Sequence, residues 1–117
     1  TGHQSRCFCN VSDVVSAIID LVECDNAFGQ VVNVGNVESV TINELADKII
    51  SLTNSKSIKK HISYEEAYGR PFDDMLVRVP DLNKINDFIG YVPKKSLKDT
   101  LSEIIEYESC FNLEKKG

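Results

Sequence analysis

The sequence predicts an α/β fold, a small sheet of about three short strands with about four helices. Two observations carry this. Short β-branched segments bounded by turn residues alternate with stretches whose apolar residues recur at helical spacing. The helical stretches also open on Ser, Thr or Asp residues able to cap them. The resulting order is strand, helix, strand, helix, strand, loop, helix, helix.

Ser5 to Val11 alternates weakly and carries Phe8 and Val11, which predicts the first strand. Ser12 then stands as a helix cap. Between Asp13 and Glu23 the polar residues Asp13, Ser16, Asp20 and Glu23 form one narrow stripe. Val14, Val15, Ala17, Ile18, Ile19, Leu21 and Val22 fill the rest, so this helix should be buried over most of its girth. Such burial asks for more cover than a short chain supplies, which points to a packing partner outside it.

Gly29 precedes Val31-Val32-Asn33-Val34, a short buried strand closed by Gly35-Asn36. Thr41 with Glu44 three residues later forms a capping box, and Val40 and Leu45 occupy the staple positions. Leu45, Ala46, Ile49 and Ile50 make the inward face of that helix, and Asn54 stops it. Ile58 to Tyr64 is predicted as the third strand. Glu65 to Pro80 reads as loop, broken at Gly69-Arg70-Pro71; connections of roughly 15 residues without structure of their own are often functional. Asp81 is placed to cap a short helix with Leu82, Ile85, Phe88 and Ile89 apolar, ended by Gly90. After Pro93, Ser96 opens the last helix, with Leu97, Leu101, Ile104 and Ile105 inward and a tail from Glu114 to Gly117.

At 117 residues the chain suits one compact domain or one piece of a larger one. It opens on Thr1 and runs at once into patterned sequence, which reads as a fragment boundary. No apolar run is long enough to span a membrane, and no leader pattern is present. A net charge of -5 argues against nucleic acid as a partner. Cys7 and Cys9 are too close to pair easily. With Cys24 and Cys110 they form no second close pair for zinc, so all four read as buried free thiols in a reducing cytoplasm. His3 and His61 are isolated. Asp73-Asp74 lacks further ligands at metal-binding spacing and reads as a turn or a partner for an arginine. Ten lysines scatter over helix surfaces and ends, whereas the only arginines are Arg6, Arg70 and Arg78. Guanidinium groups make forked contacts with phosphate oxygens, which marks these three as anion-binding candidates.

Three stretches together resemble the extended short-chain dehydrogenases that rework nucleotide-activated sugars, an NAD-dependent epimerase and dehydratase family that includes UDP-glucose 4-epimerase-like and UDP-glucuronate decarboxylase-like members. The first runs from Gln4 through Arg6-Cys7-Phe8 and Val11-Ser12-Asp13 to Val15. The second is Val32-Asn33-Val34-Gly35-Asn36 followed by the helix opening Thr41-Ile42-Asn43-Glu44-Leu45-Ala46. The third is Asp73-Asp74-Met75-Leu76-Val77-Arg78-Val79-Pro80-Asp81-Leu82-Asn83-Lys84, then Ile89-Gly90-Tyr91-Val92-Pro93 and a helix opening on Ser96-Leu97. Relatives often carry Tyr where this chain has Asn10.

The resemblance implies that residues 1–117 are the C-terminal, substrate-binding part of a Rossmann-type enzyme, with NAD bound by an N-terminal domain absent from this chain. It implies a nucleoside diphosphate sugar as ligand, gripped by Arg6 and Arg78, with lesser contributions from Gln4 and from Arg70. Arg70 echoes an Arg-Pro-x-Asp pattern in a register one residue away. Epimerase, dehydratase and decarboxylase members share these patterns. The chain has no glycine-rich dinucleotide turn, since Gly29, Gly35, Gly69 and Gly90 are widely separated. Tyr91 and Lys95 have the spacing of the family's catalytic pair, but Pro93 between them breaks the helical turn that would bring them together. No catalytic residue, metal ligand or bound NAD is therefore expected of this piece. Two other readings are a free-standing binding module for a nucleotide or an acidic metabolite, and an oligomerisation domain. The helix from Asp13 to Glu23 separates them: a free-standing module buries it unaided, whereas a fragment exposes one face or pairs it with a second copy.

Overall fold

A computed structural model describes residues 2–69 and 74–114, with side chains to Phe111. Its described elements are β1 (Ser5–Cys7), α1 (Val11–Val22), a 3-10 turn (Asp25–Ala27), β2 (Ser39–Thr41), α2 (Ile42–Leu52), α3 (Tyr64–Tyr68), β3 (Val77–Arg78), α4 (Asn83–Ile89) and α5 (Leu97–Glu114). The class is α/β, as predicted, with a three-stranded mixed sheet in the order β2-β1-β3. The chain forms two compact units: Thr1–Arg6 with Ser39–Arg78, and Cys7–Glu38 with Val79–Gly117. Among the described residues no helix is long and apolar enough to cross a membrane.

The first unit holds the sheet. β1 is shorter than predicted, because the chain turns into α1 already at Val11. β3 pairs with it in parallel, Ser5 opposite Val77 and Arg6 opposite Arg78. The predicted strand from Ile58 to Tyr64 does not form. Ser63 instead accepts a hydrogen bond from the Glu66 amide at 3.0 Å and caps α3. The stretch from Glu65 to Pro80 is consequently not all loop, since α3 and β3 lie in it. The capping box opens α2 as predicted: Thr41 Oγ1 accepts from the Glu44 amide at 3.1 Å, and Glu44 Oε2 accepts from the Thr41 amide at 2.9 Å. Val40 beside it is buried. Asn54 adopts a left-handed φ of 49° just past the helix end, which is how it stops α2. Ile49, predicted inward, lies 39% exposed.

The second unit packs α1 and α4 around Ala17, Ile85 and Tyr91, with Leu21, Val32, Val34, Leu82 and Ile89 against them. The predicted strand at Val31 to Val34 has no ladder partner among the described residues. Its alternation survives nevertheless: Val32 and Val34 reach the core, while Val31 is 86% exposed. Asn10, not Ser12, caps α1. The polar stripe of α1 also needs correction. Asp13 is buried, and its Oδ2 accepts the amides of Lys94 and Lys95 at 3.1 and 3.0 Å. The helix therefore turns Asp13 and Ala17 inward and leaves Val11, Val15, Ile18, Ile19 and Val22 at the surface. Leu82 rather than Asp81 sits at the cap position of α4, although Asp81 Oδ1 accepts from the Asn83 amide at 2.8 Å. Gly90 ends α4 with a φ of 63°, a conformation that costs a residue with a Cβ more. Ser96 and Asp99 open α5 with reciprocal bonds, and Leu97 and Leu101 are buried, but Ile104 is exposed.

Candidate functional site

Arg6 and Arg78, 72 positions apart in the chain, are register partners on adjacent parallel strands. Paired residues of a parallel ladder project to the same face, so the two guanidinium groups start from neighbouring positions. The Arg6 side chain is mostly buried and firmly held. Its Nη1 donates to the carbonyls of Ser5 and Met75 at 2.7 and 2.9 Å, and its Nη2 lies 2.5 Å from Asp74 Oδ2. Arg78 is exposed and forms no ion pair with a described residue. Arg70 lies outside the described residues.

Gln4 enters the same network. Its Nε2 donates to the Tyr64 hydroxyl at 3.4 Å, and that hydroxyl donates to Asp74 Oδ2 at 2.9 Å. The hydrogen bond to Asp74, with some burial, holds the Tyr64 phenol above the ordinary tyrosine range, so it stays a donor at neutral pH. Gln4, Tyr64, Asp74 and Arg6 thus form one continuous chain of hydrogen bonds beside Arg78. The arginine-partner reading of the Asp73-Asp74 pair holds at Asp74. Tyr64 was missed, because it fell inside a predicted strand. A local signal was available in Ser63 and Glu66, which together mark a helix start.

Tyr91 and Lys95 do other work. Tyr91 is buried, donates its hydroxyl to the Gly35 carbonyl at 2.8 Å and has Cys9 Sγ within 3.5 Å. Burial, then the contact with Cys9, pushes its phenol well above the ordinary value. The Lys95 ammonium pairs with Glu103 at 2.5 Å, which raises its pKa. His61 hydrogen-bonds Asn43 at 2.8 Å. The cysteines are free; Cys7, Cys9 and Cys24 are half-buried, but Cys110 is exposed rather than buried. Among the described residues no three His, Cys, Asp or Glu side chains are grouped to hold a metal ion.

The family described as GDP-mannose 4,6 dehydratase matches residues 1–104. UDP-N-acetyl-alpha-D-glucosaminuronate decarboxylase of Bacillus cytotoxicus is 33% identical over 106 residues, covering 91% of this chain and 33% of its own. The fold is similar to that of an epimerase of Methanothermobacter thermautotrophicus, with a TM-score of 0.83, 18% identity and coverage of 100% of this chain and 34% of that one. It is also similar to MoeE5 in complex with UDP-glucose and NAD, with a TM-score of 0.77, 25% identity and coverage of 93% and 34%. The chain spans about a third of the length of the curated relatives it matches.

Proposed function

The chain belongs to the GDP-mannose 4,6 dehydratase family of NAD-dependent sugar-nucleotide epimerases and dehydratases, and from that premise we propose that it is the substrate-binding lobe of such an enzyme. In this reading Arg6 and Arg78 grip the diphosphate of a nucleoside diphosphate sugar. The observation that carries it is their pairing across β1 and β3. Like charges directly opposite on one sheet face repel, so the pair needs an anion. Asp74 supplies one negative charge, which leaves about one positive charge on the strand pair for a ligand. A diphosphate meets that need with charge-assisted hydrogen bonds. The sugar nucleotides and NAD named for relatives such as MoeE5 fit this chemistry.

NAD then belongs to a second, dinucleotide-binding half. Two features support its presence in the working enzyme. The apolar stripe Val11, Val15, Ile18, Ile19 and Val22 of α1 is exposed, and residues 31–34 keep strand-like alternation without a ladder partner among the described residues. A free-standing binding module would bury α1 unaided, so these exposures favour the lobe.

Amide spectra of the labelled chain test the reading during titration with uridine diphosphate, then with NAD. Uridine diphosphate should shift amides of residues 4–6 and 76–78, NAD should shift none, and the chain alone should turn over no sugar nucleotide. Shifts with NAD comparable to those with uridine diphosphate, or turnover by the pure chain, would overturn it.

A further inference from the structure

Resting on that reading, we infer that Asp74 is a built-in anion that occupies Arg6 while the diphosphate is absent and yields the guanidinium when the ligand arrives. Asp74 thereby sets the affinity of the site. A guanidinium has five N–H donors. Two of those on Arg6, both on Nη1, are fixed on the carbonyls of Ser5 and Met75. Only Nη2 and Nε remain to meet a ligand, and Asp74 Oδ2 holds Nη2 at 2.5 Å. A phosphate oxygen approaching Nη2 meets a carboxylate of its own sign.

The same carboxylate oxygen has a second donor, the Tyr64 hydroxyl at 2.9 Å. When Arg6 turns to the ligand, Tyr64 keeps Asp74 satisfied, so the released carboxylate is not left without a partner. Its side chain is 20% exposed, which also leaves it open to water. Arg78, exposed and without a described carboxylate, makes the first contact. Tyr64 is thus a positioning residue that makes the exchange at Arg6 reversible.

The test is the affinity of the chain for uridine diphosphate, read from amide shifts, in the wild type and in Asp74→Asn, Tyr64→Phe, Arg78→Ala and Glu106→Gln. Asparagine keeps the shape of Asp74 and an acceptor oxygen, so Asp74→Asn should bind roughly 3- to 10-fold tighter. Asp74→Ser replaces it should the asparagine variant unfold. Tyr64→Phe should bind more weakly, because Asp74 then keeps Arg6 as its one side-chain partner among the described residues. Glu106→Gln makes the same charge change on an exposed position of α5 and should stay within about 2-fold of the wild type. Loss of binding in Arg78→Ala, with Asp74→Asn no tighter than the wild type, sinks the inference and leaves the diphosphate grip standing. Equal tightening in Glu106→Gln also sinks it, since net charge alone then explains the effect. Binding indifferent to both Arg78→Ala and Asp74→Asn, or absent in every variant, overturns the grip and the inference together. Binding by Asp74→Asn where the wild type shows none supports the inference.

Discussion

The side chain of Asn10 works in three directions. Its Oδ1 accepts from the Ser12 amide at 2.9 Å, while its Nδ2 donates to Thr100 at 3.2 Å and Glu103 at 2.8 Å. Only 4% of it is exposed. Asn10→Ala removes a helix cap and a buried amide, and should lower unfolding stability by about 2 kcal/mol in a urea titration. Tyr91 gives a pH signature of its own. Its phenol is raised above the unfolded value of 10.0 by burial first and by Cys9 second. The protonated form is therefore favoured in the fold. Its contribution is complete below pH 10 and is lost as pH rises from there toward the folded value. Stability should fall with pH in that alkaline range, and Tyr91→Phe should flatten the slope while weakening the fold at neutral pH, since the Gly35 carbonyl loses its donor.

At the scale of elements, what the sequence foretold depends on how local each element's cause is. The capping box of α2 was legible because its reciprocal bonds lie within four residues, Thr41 to Glu44. Ser96 and Asp99 do the same for α5. Strands β2 and β3 were illegible, since three and two residues give no periodicity and their pairing is with a distant segment. Residues 31–34 mislead for the opposite reason: the pattern is that of a strand, but no strand among the described residues pairs with it. The caps carry an acid signature. Hydrogen bonds from Thr41 hold Glu44 below its ordinary value of 4.5, and those from Ser96 hold Asp99 below 3.8. Depressed carboxyl values contribute stability above the ordinary value, and that stability is lost as pH falls below it. Amide exchange in the first turns of α2 and α5 should accelerate as pH drops through this range, relative to the rest of each helix. Thr41→Ala should cost about 1 kcal/mol and lessen the effect in α2 alone, since the backbone amide at position 41 still donates to Glu44. On α1, Val15→Lys with Ile19→Lys replaces two half-exposed apolar residues. The pair should reduce binding of a hydrophobic dye with little change in stability, whereas a large loss of stability would show that the stripe is internal to the fold.

Over the whole molecule, the candidate site was legible as residue types and not as a place. Arg6 and Arg78 stood out as two of only three arginines, in stretches resembling a family of diphosphate-sugar enzymes. That they share a rung of a parallel ladder follows from the register of β1 and β3, which no local pattern encodes. Gln4, Tyr64 and Asp74 join the site through hydrogen bonds across up to 68 positions, set by the path of the backbone. The central claim is that these two arginines act on one diphosphate. The most direct measurement is the affinity of the chain for uridine diphosphate with Arg78 changed to Ala and to Lys. Arg78→Ala should weaken binding by about 1.5–3 kcal/mol, and Arg78→Lys should recover only part of it, because lysine lacks the planar fork. Affinity unchanged in both variants would contradict the account.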